Sequence, residues 1–107
     1  MSATKLTQVQ IAGRIAEIEA EPRVLIGSDG GTHGKPDHWQ VYEEVASGDR
    51  YAVYSFAHSN GSRQDWRDAE KETPGRIRWF REQEARAKEL RRELRALRGQ
   101  LETAVAR

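Results

Sequence analysis

The chain contains no cysteine. Disulfides, thiolate zinc sites and thiol nucleophiles are excluded at once. Proline occurs three times and methionine once. Net charge is nearly absent: 18 Lys and Arg stand against 17 Asp and Glu, leaving +1. Nothing in that total draws the protein onto nucleic acid or a membrane. No apolar run approaches the roughly 18 residues of a membrane span. Met1-Ser2-Ala3-Thr4-Lys5 is not followed by the apolar stretch of a signal peptide. These absences predict a soluble, cytoplasmic protein with no membrane contact.

What is present is charge and modest apolar content. Of 107 residues, 33% are charged and 36% apolar, enough for one core and too little for two. The charge is unevenly placed. Residues 76–107 carry ten basic and five acidic side chains, whereas residues 1–75 carry eight basic and twelve acidic ones. The expected organisation is a compact body over 1–75 and a long basic helix over 76–107, forming one folding unit.

Thr7 and Gln10 make a capping-box pattern, and Leu6 and Ile11 stand where a hydrophobic staple needs them. Ile11, Ile15 and Ile18 continue at helical spacing until Pro22 closes the element. Glu17, Glu19 and Glu21 crowd its C-terminal end, against the preference of the helix dipole. Val24-Leu25-Ile26 reads as a buried strand, and residues 27–37 as a glycine-rich loop. Trp39–Ala46 and Arg50–His58 read as a hairpin turning at Ser47-Gly48-Asp49. A two-residue Gly48-Asp49 loop would set Val45 opposite Ala52, Glu43 opposite Tyr54, Val41 opposite Phe56 and Trp39 opposite His58. Tyr42, Tyr51 and Val53 then share the other face, half polar and able to take a cover. Ser62 and Asp65 could cap a single helical turn. Thr73 followed by Pro74 has the form of a helix cap and first helical residue. From there the helix would run to about Ala106, a rod of roughly 48 Å. The fold class is α+β: an N-terminal helix, an antiparallel sheet of about three strands, and a long C-terminal helix.

That helix carries a coiled-coil-like seam. Phe80, Gln83, Ala87, Leu90, Leu94, Leu97, Leu101 and Ala104 follow alternating steps of three and four. Ile77, Trp79 and Phe80 are expected on the sheet, and Leu90, Leu94, Leu97 and Leu101 in an interface. The partner would be a second copy of the chain, as homodimer or higher, or another protein's helix. The competing reading lays the seam on the chain's own body. Arg81, Lys88, Arg91, Arg92, Arg95 and Arg98 form a basic flank. It would suit phosphates or an acidic protein, or be a solvated face with intrahelical pairs. No aromatics interleave these cations as a single-strand binder requires, so nucleic acid is an unfavoured partner.

Catalytic signatures are missing. In Gly27–Pro36 a P-loop would need glycine where Asp29 stands and Ser or Thr where Pro36 stands. A dinucleotide fingerprint would need a helix after the glycines. What remains is a loop in which Gly30, Gly31, His33 and Lys35 could grip a nucleotide-like anion, with Trp39 stacking on a base. His33, Asp37, His38, Asp29 and His58 match no ligand spacing, so no metal and no cofactor are expected. Trp66, set among charges, is either a lid on the core or a binding anchor. The expectation is a non-enzymatic interaction protein that self-associates through its last helix and binds another macromolecule. Regulators, adaptors and phage-type inhibitors such as anti-defence proteins act in this manner. The alternatives are a small-ligand binder using loop 27–38 and a weak nucleic-acid binder using the basic flank.

Overall fold

The computed structural model describes residues 7–30, 37–56 and 59–105. Helix α1 (Gln8–Ala20) leads into strand β1 (Arg23–Ser28), then β2 (His38–Glu44) and β3 (Arg50–Phe56). A two-residue strand β4 (Ser59–Asn60), a short helix α2 (Trp66–Glu72), a two-residue strand β5 (Arg78–Trp79) and the long helix α3 (Arg81–Val105) complete the chain. The sheet is antiparallel, in the order β4-β3-β2-β1-β5. The α+β class read from the sequence is the one observed.

The capping box of α1 forms in full: Gln10 N–H donates to Thr7 Oγ1 at 3.1 Å, and Thr7 N–H to Gln10 Oε1 at 2.9 Å. Leu6, the other half of the expected staple, lies outside the described residues.

The hairpin differs from expectation in register. Trp39 pairs with Tyr54, Val41 with Ala52 and Glu43 with Arg50, four residues away from a two-residue turn. The cause is Val45, whose N–H donates to Pro22 O at 2.9 Å and so leaves the hairpin for β1. Residues 45–49 become the loop, closed by Gly48 N–H to Glu44 O at 2.9 Å, with Gly48 at φ 80°. A shift by an even number keeps every side chain on its face. The face assignments therefore survive while the cross-strand partners change.

The last helix also starts later. Thr73 closes α2 rather than opening α3: its N–H and hydroxyl both donate to Ala69 O, at 3.1 and 2.8 Å. Gly75 follows at φ 69°, a left-handed turn that a helix start cannot use. The chain then pairs β5 with β1. Gly27 is needed there, because a Cβ on it would stand 3.1 Å from the Trp79 ring and 3.2 Å from Arg78 O. Phe80 N–H donates to Ile26 O at 2.8 Å, and α3 begins. Its length is roughly 37 Å at about 1.5 Å per residue, within a molecule measuring 56 × 28 × 22 Å.

One face of the sheet presents Val24, Ile26, Trp39, Val41 and Ala52 to the core. Ile11, Ile15 and Ile18 of α1, Ala69 of α2 and Ala87, Leu94 and Leu97 of α3 complete it. Each buried Ile, Leu or Val contributes about 1.5–3 kcal/mol. Trp66 is half-buried, edge-on to Trp79 at 5.6 Å, and so works as a lid on this core.

Candidate functional site

The leucine seam faces inward. Leu94 and Leu97 are 3% and 4% exposed, and Leu90 and Leu101 lie half-buried against the same core. Their partner helix is the chain's own α1. Arg14 holds Glu93 in a two-bond clamp, Nε to Oε2 at 2.7 Å and NH2 to Oε1 at 2.9 Å. One end further along, Arg86 donates to Glu21 at 2.9 Å. The seven-residue spacing signalled a second helix, but that helix belongs to the same chain. Of the interface assigned to Leu90, Leu94, Leu97 and Leu101, Leu94 and Leu97 are taken up by the chain's own core, while Leu90 and Leu101 keep partial exposure at its edge.

This packing also explains the acidic end of α1. Glu21 meets Arg86, Glu19 stands 3.6 Å from Arg98, and Glu17 accepts from Arg14 at 3.0 Å. Cations from α3 oppose Glu21 and Glu19, and Arg14 of α1 itself opposes Glu17, offsetting charges that the helix dipole alone disfavours. The hydrogen bond from Arg14 lowers the pKa of Glu93, and the same contact raises that of Arg14.

In the glycine loop, Gly31, His33 and Lys35 lie outside the described residues, as does His58. Gly30 is described, at φ 73°. Its N–H donates to Ser28 Oγ at 3.0 Å, and that hydroxyl donates to Trp39 O at 3.0 Å. Asp29 Oδ1 accepts from Trp39 N–H at 3.1 Å. The loop's stem is thus tied to β2 by its own side chains. Trp39 is 4% exposed and edge-on to Tyr54 at 5.1 Å. Its ring belongs to the core and cannot stack on a base, which corrects its place in the candidate ligand site.

A four-charge cluster between sheet and α3 was not anticipated. Glu43, 4% exposed, accepts from Arg50 Nε at 2.8 Å and from Arg91 NH2. Arg50 also donates to Glu84 at 3.1 Å, and Arg91 Nε donates to Val45 O at 3.0 Å. The signal was available in the alternation Trp39, Val41, Glu43, Val45: an acid on an apolar face requires a buried cation. The true register supplies Arg50 directly opposite. Arg91 is therefore occupied and leaves the basic surface.

The remaining cations of the flank sort cleanly. Arg98 is loosely tied to Glu19, both about half exposed. Arg81, Lys88, Arg92 and Arg95 are exposed and, among the described residues, make no ion pair. At helical spacing Arg81, Lys88 and Arg92 share the side of α3 opposite its buried leucines, and Arg95 stands at the edge of that side, near Ala46.

On the far side of the sheet Tyr42 and Tyr51 stack at 5.7 Å, with Arg23 4.0 Å above Tyr42 and Arg63 4.1 Å above Tyr51. Arg23 donates to the Tyr51 hydroxyl at 3.0 Å, raising its own pKa, and Arg63 pairs with Glu44. These arginines cover the tyrosines they touch, and the rings have no free faces for a base.

Among the described residues no cluster of His, Asp or Glu could hold a metal ion, and no helix is long and apolar enough to cross a membrane. No protein-family model matches the chain, and comparison with curated proteins and with solved structures finds no match either.

Proposed function

We propose that the protein is a non-enzymatic interaction module that binds an acidic face of another protein through the outer flank of α3. The observation that supports this is the sorting of its cations. Arg14, Arg50, Arg86 and Arg91 each have a carboxylate partner, whereas Arg81, Lys88, Arg92 and Arg95 have none among the described residues. They span roughly 21 Å along one helix, at about 1.5 Å per residue. An interface of this kind gains on-rate and specificity from complementary charge. A protein partner fits better than nucleic acid. The net charge of +1 gives no long-range attraction to a polyanion, and among the described residues the exposed ring beside these cations, Phe80, stands at the end of the stripe and does not interleave it. Self-association through the leucine seam is not part of this reading, since α1 already fills that groove.

The test compares wild type with a variant carrying Arg81→Ser, Lys88→Ser, Arg92→Ser and Arg95→Ser. Binding of labelled poly-L-glutamate and of single-stranded and duplex DNA is followed by fluorescence anisotropy between about 50 and 200 mM salt. Poly-L-glutamate should bind wild type, weaken with salt, and be lost in the variant. Equal binding by both proteins, or DNA binding about tenfold tighter than poly-L-glutamate at matched charge, would refute the proposal.

A further inference from the structure

We infer that the acidic partner anchors itself by inserting a compact apolar side chain, with a carboxylate beside it, where α1, α3 and the β2–β3 loop meet. This rests on the reading of α3 above and adds the residue that holds the partner in place. Two adjoining hollows form the site, sharing Ala46, Leu94 and Arg98. The inner one, about 140 Å³, has apolar walls from Ile18, Pro22, Val45 and Leu94. The outer one, about 350 Å³, is a groove with Arg91, Arg95 and Arg98 along it.

The inner hollow has the size of a small ring or a branched aliphatic group. Apolar cavities of about 150 Å³ take benzene in preference to water. The hollow meets the groove at the shared Ala46, Leu94 and Arg98, which is the side from which an occupant would enter. At the mouth the three guanidiniums differ. Arg91 is committed to Glu43 and Val45 O. Arg98 has Glu19 at 3.6 Å, a partly exposed pair that holds weakly. Arg95 has no ion pair among the described residues. Two carboxylates, Glu19 and Glu102, also line the site. A ligand carboxylate would thus be met by Arg95 and would compete with Glu19 for Arg98. An apolar group alone would leave Arg95 unanswered, and an anion alone would leave the inner hollow unfilled. The occupant that answers both is a Leu, Ile or Phe side chain flanked by Asp or Glu in a partner segment.

The probe is 3-phenylpropionate, with neutral 3-phenylpropanamide as control, titrated into the isotope-labelled full chain and read by amide chemical shifts. The acid should shift Val45, Ala46, Leu94 and Arg98 and saturate with a dissociation constant on the order of 1 mM, as expected for so few ligand atoms. The amide should bind at least about fivefold more weakly, for want of the charge-assisted contact. Ala46 is exposed in a loop, so Ala46→Trp keeps the core and blocks the entrance; it should abolish binding with an unchanged thermal midpoint. Arg98→Gln, which leaves the apolar walls intact, should lower the affinity for the acid toward that for the amide. No saturation, shifts mapping elsewhere, equal affinity for acid and amide, or binding indifferent to Ala46→Trp would each overturn the inference. Binding of the acid without binding of poly-L-glutamate refutes the helix flank and keeps the pocket. Poly-L-glutamate binding without binding of the acid refutes the pocket and keeps the flank.

Discussion

Leu94→Ala separates a seam that stabilises one chain from a seam that joins two. Leu94 is 3% exposed and belongs to the same core cluster as the three isoleucines of α1 and the sheet valines. Truncation to alanine removes three carbons from that contact, and the transfer term alone is about 2–2.5 kcal/mol at roughly 0.8 kcal/mol per carbon. The void left behind adds to it, because a close-packed core relaxes only partly around the gap; about 3 kcal/mol in all is expected. For a domain of this length the thermal midpoint would fall by about 12–20 °C. Urea unfolding followed by circular dichroism, at about 1 and about 50 μM protein, is the assay. The wild-type midpoint should not depend on concentration, and the variant should lose stability equally at both. A loss below about 1 kcal/mol, or a wild-type midpoint that rises with concentration while the variant's does not, would refute the assignment of this leucine to the chain's own core. Replacing Leu94 and Leu97 together by Lys is expected to unfold the protein and not to release a folded monomer, since two charges would enter the core unpaired.

Three further outcomes are expected. Gly99→Ala should raise stability by about 0.5–1 kcal/mol in the same urea assay, because the position is an exposed helix interior and an added Cβ meets nothing within 4 Å; a loss would show that something else requires the glycine. Glu93 has a lowered pKa in the folded state, so its pair with Arg14 stabilises fully above the unfolded carboxylate value of about 4.3 and fades as pH falls through the folded one. Thermal midpoints of wild type and Arg14→Gln should therefore differ near neutral pH and converge in acid; a gap that persists at about pH 2 would contradict the pairing. Glu84→Gln should destabilise by about 1–3 kcal/mol, and in a double-mutant cycle with Arg50→Gln the two losses should sum to more than the double variant loses; additive losses would mean that the two side chains do not interact.

Much of this architecture was legible in local signals. Thr7 and Gln10, Pro22, and the alternation along Trp39, Val41 and Glu43 each act over a few residues, and each reads true. The misreadings came from forces that act across the chain. Val45 left the hairpin because Pro22 O, more than twenty residues upstream, captured its N–H. Thr73-Pro74 has the local form of a helix start, but the pull of β1 on Arg78 and Trp79 wins and Gly75 breaks the helix first. The seam correctly announced a partner helix; its spacing holds no information on whether that helix is in cis. Glu19 and Glu21 at the end of α1 were the missed clue, since they mark a helix end that meets cations from another element. The anchor pocket had no sequence signal, because its walls come from four separate elements.

The four-charge cluster answers a problem that the leucine seam creates. A seam of seven-residue period repeats its apolar positions after a shift of seven, so apolar patterning alone sets the level of α3 only through differences in size such as Ala87 against Leu94. Glu84, Arg91 and Arg98 recur at that interval on the sheet-facing edge of the helix. In the observed register Glu84 meets Arg50 and Arg91 meets Glu43. Slide α3 by seven residues one way and Arg91 faces Arg50, while Arg98 takes the place beside Glu43. Slide it the other way and Glu84 faces Glu43, leaving Arg50 without its second acid. Either shift buries a like-charge contact or strips a buried charge of a partner, and breaking such a pair costs about 3–5 kcal/mol. The leucines therefore hold α3 down, and the alternation of sign from Glu84 to Arg91 sets where along the sheet it is held. That level is also what brings Arg95 and Arg98 beside Ala46, at the mouth of the apolar hollow.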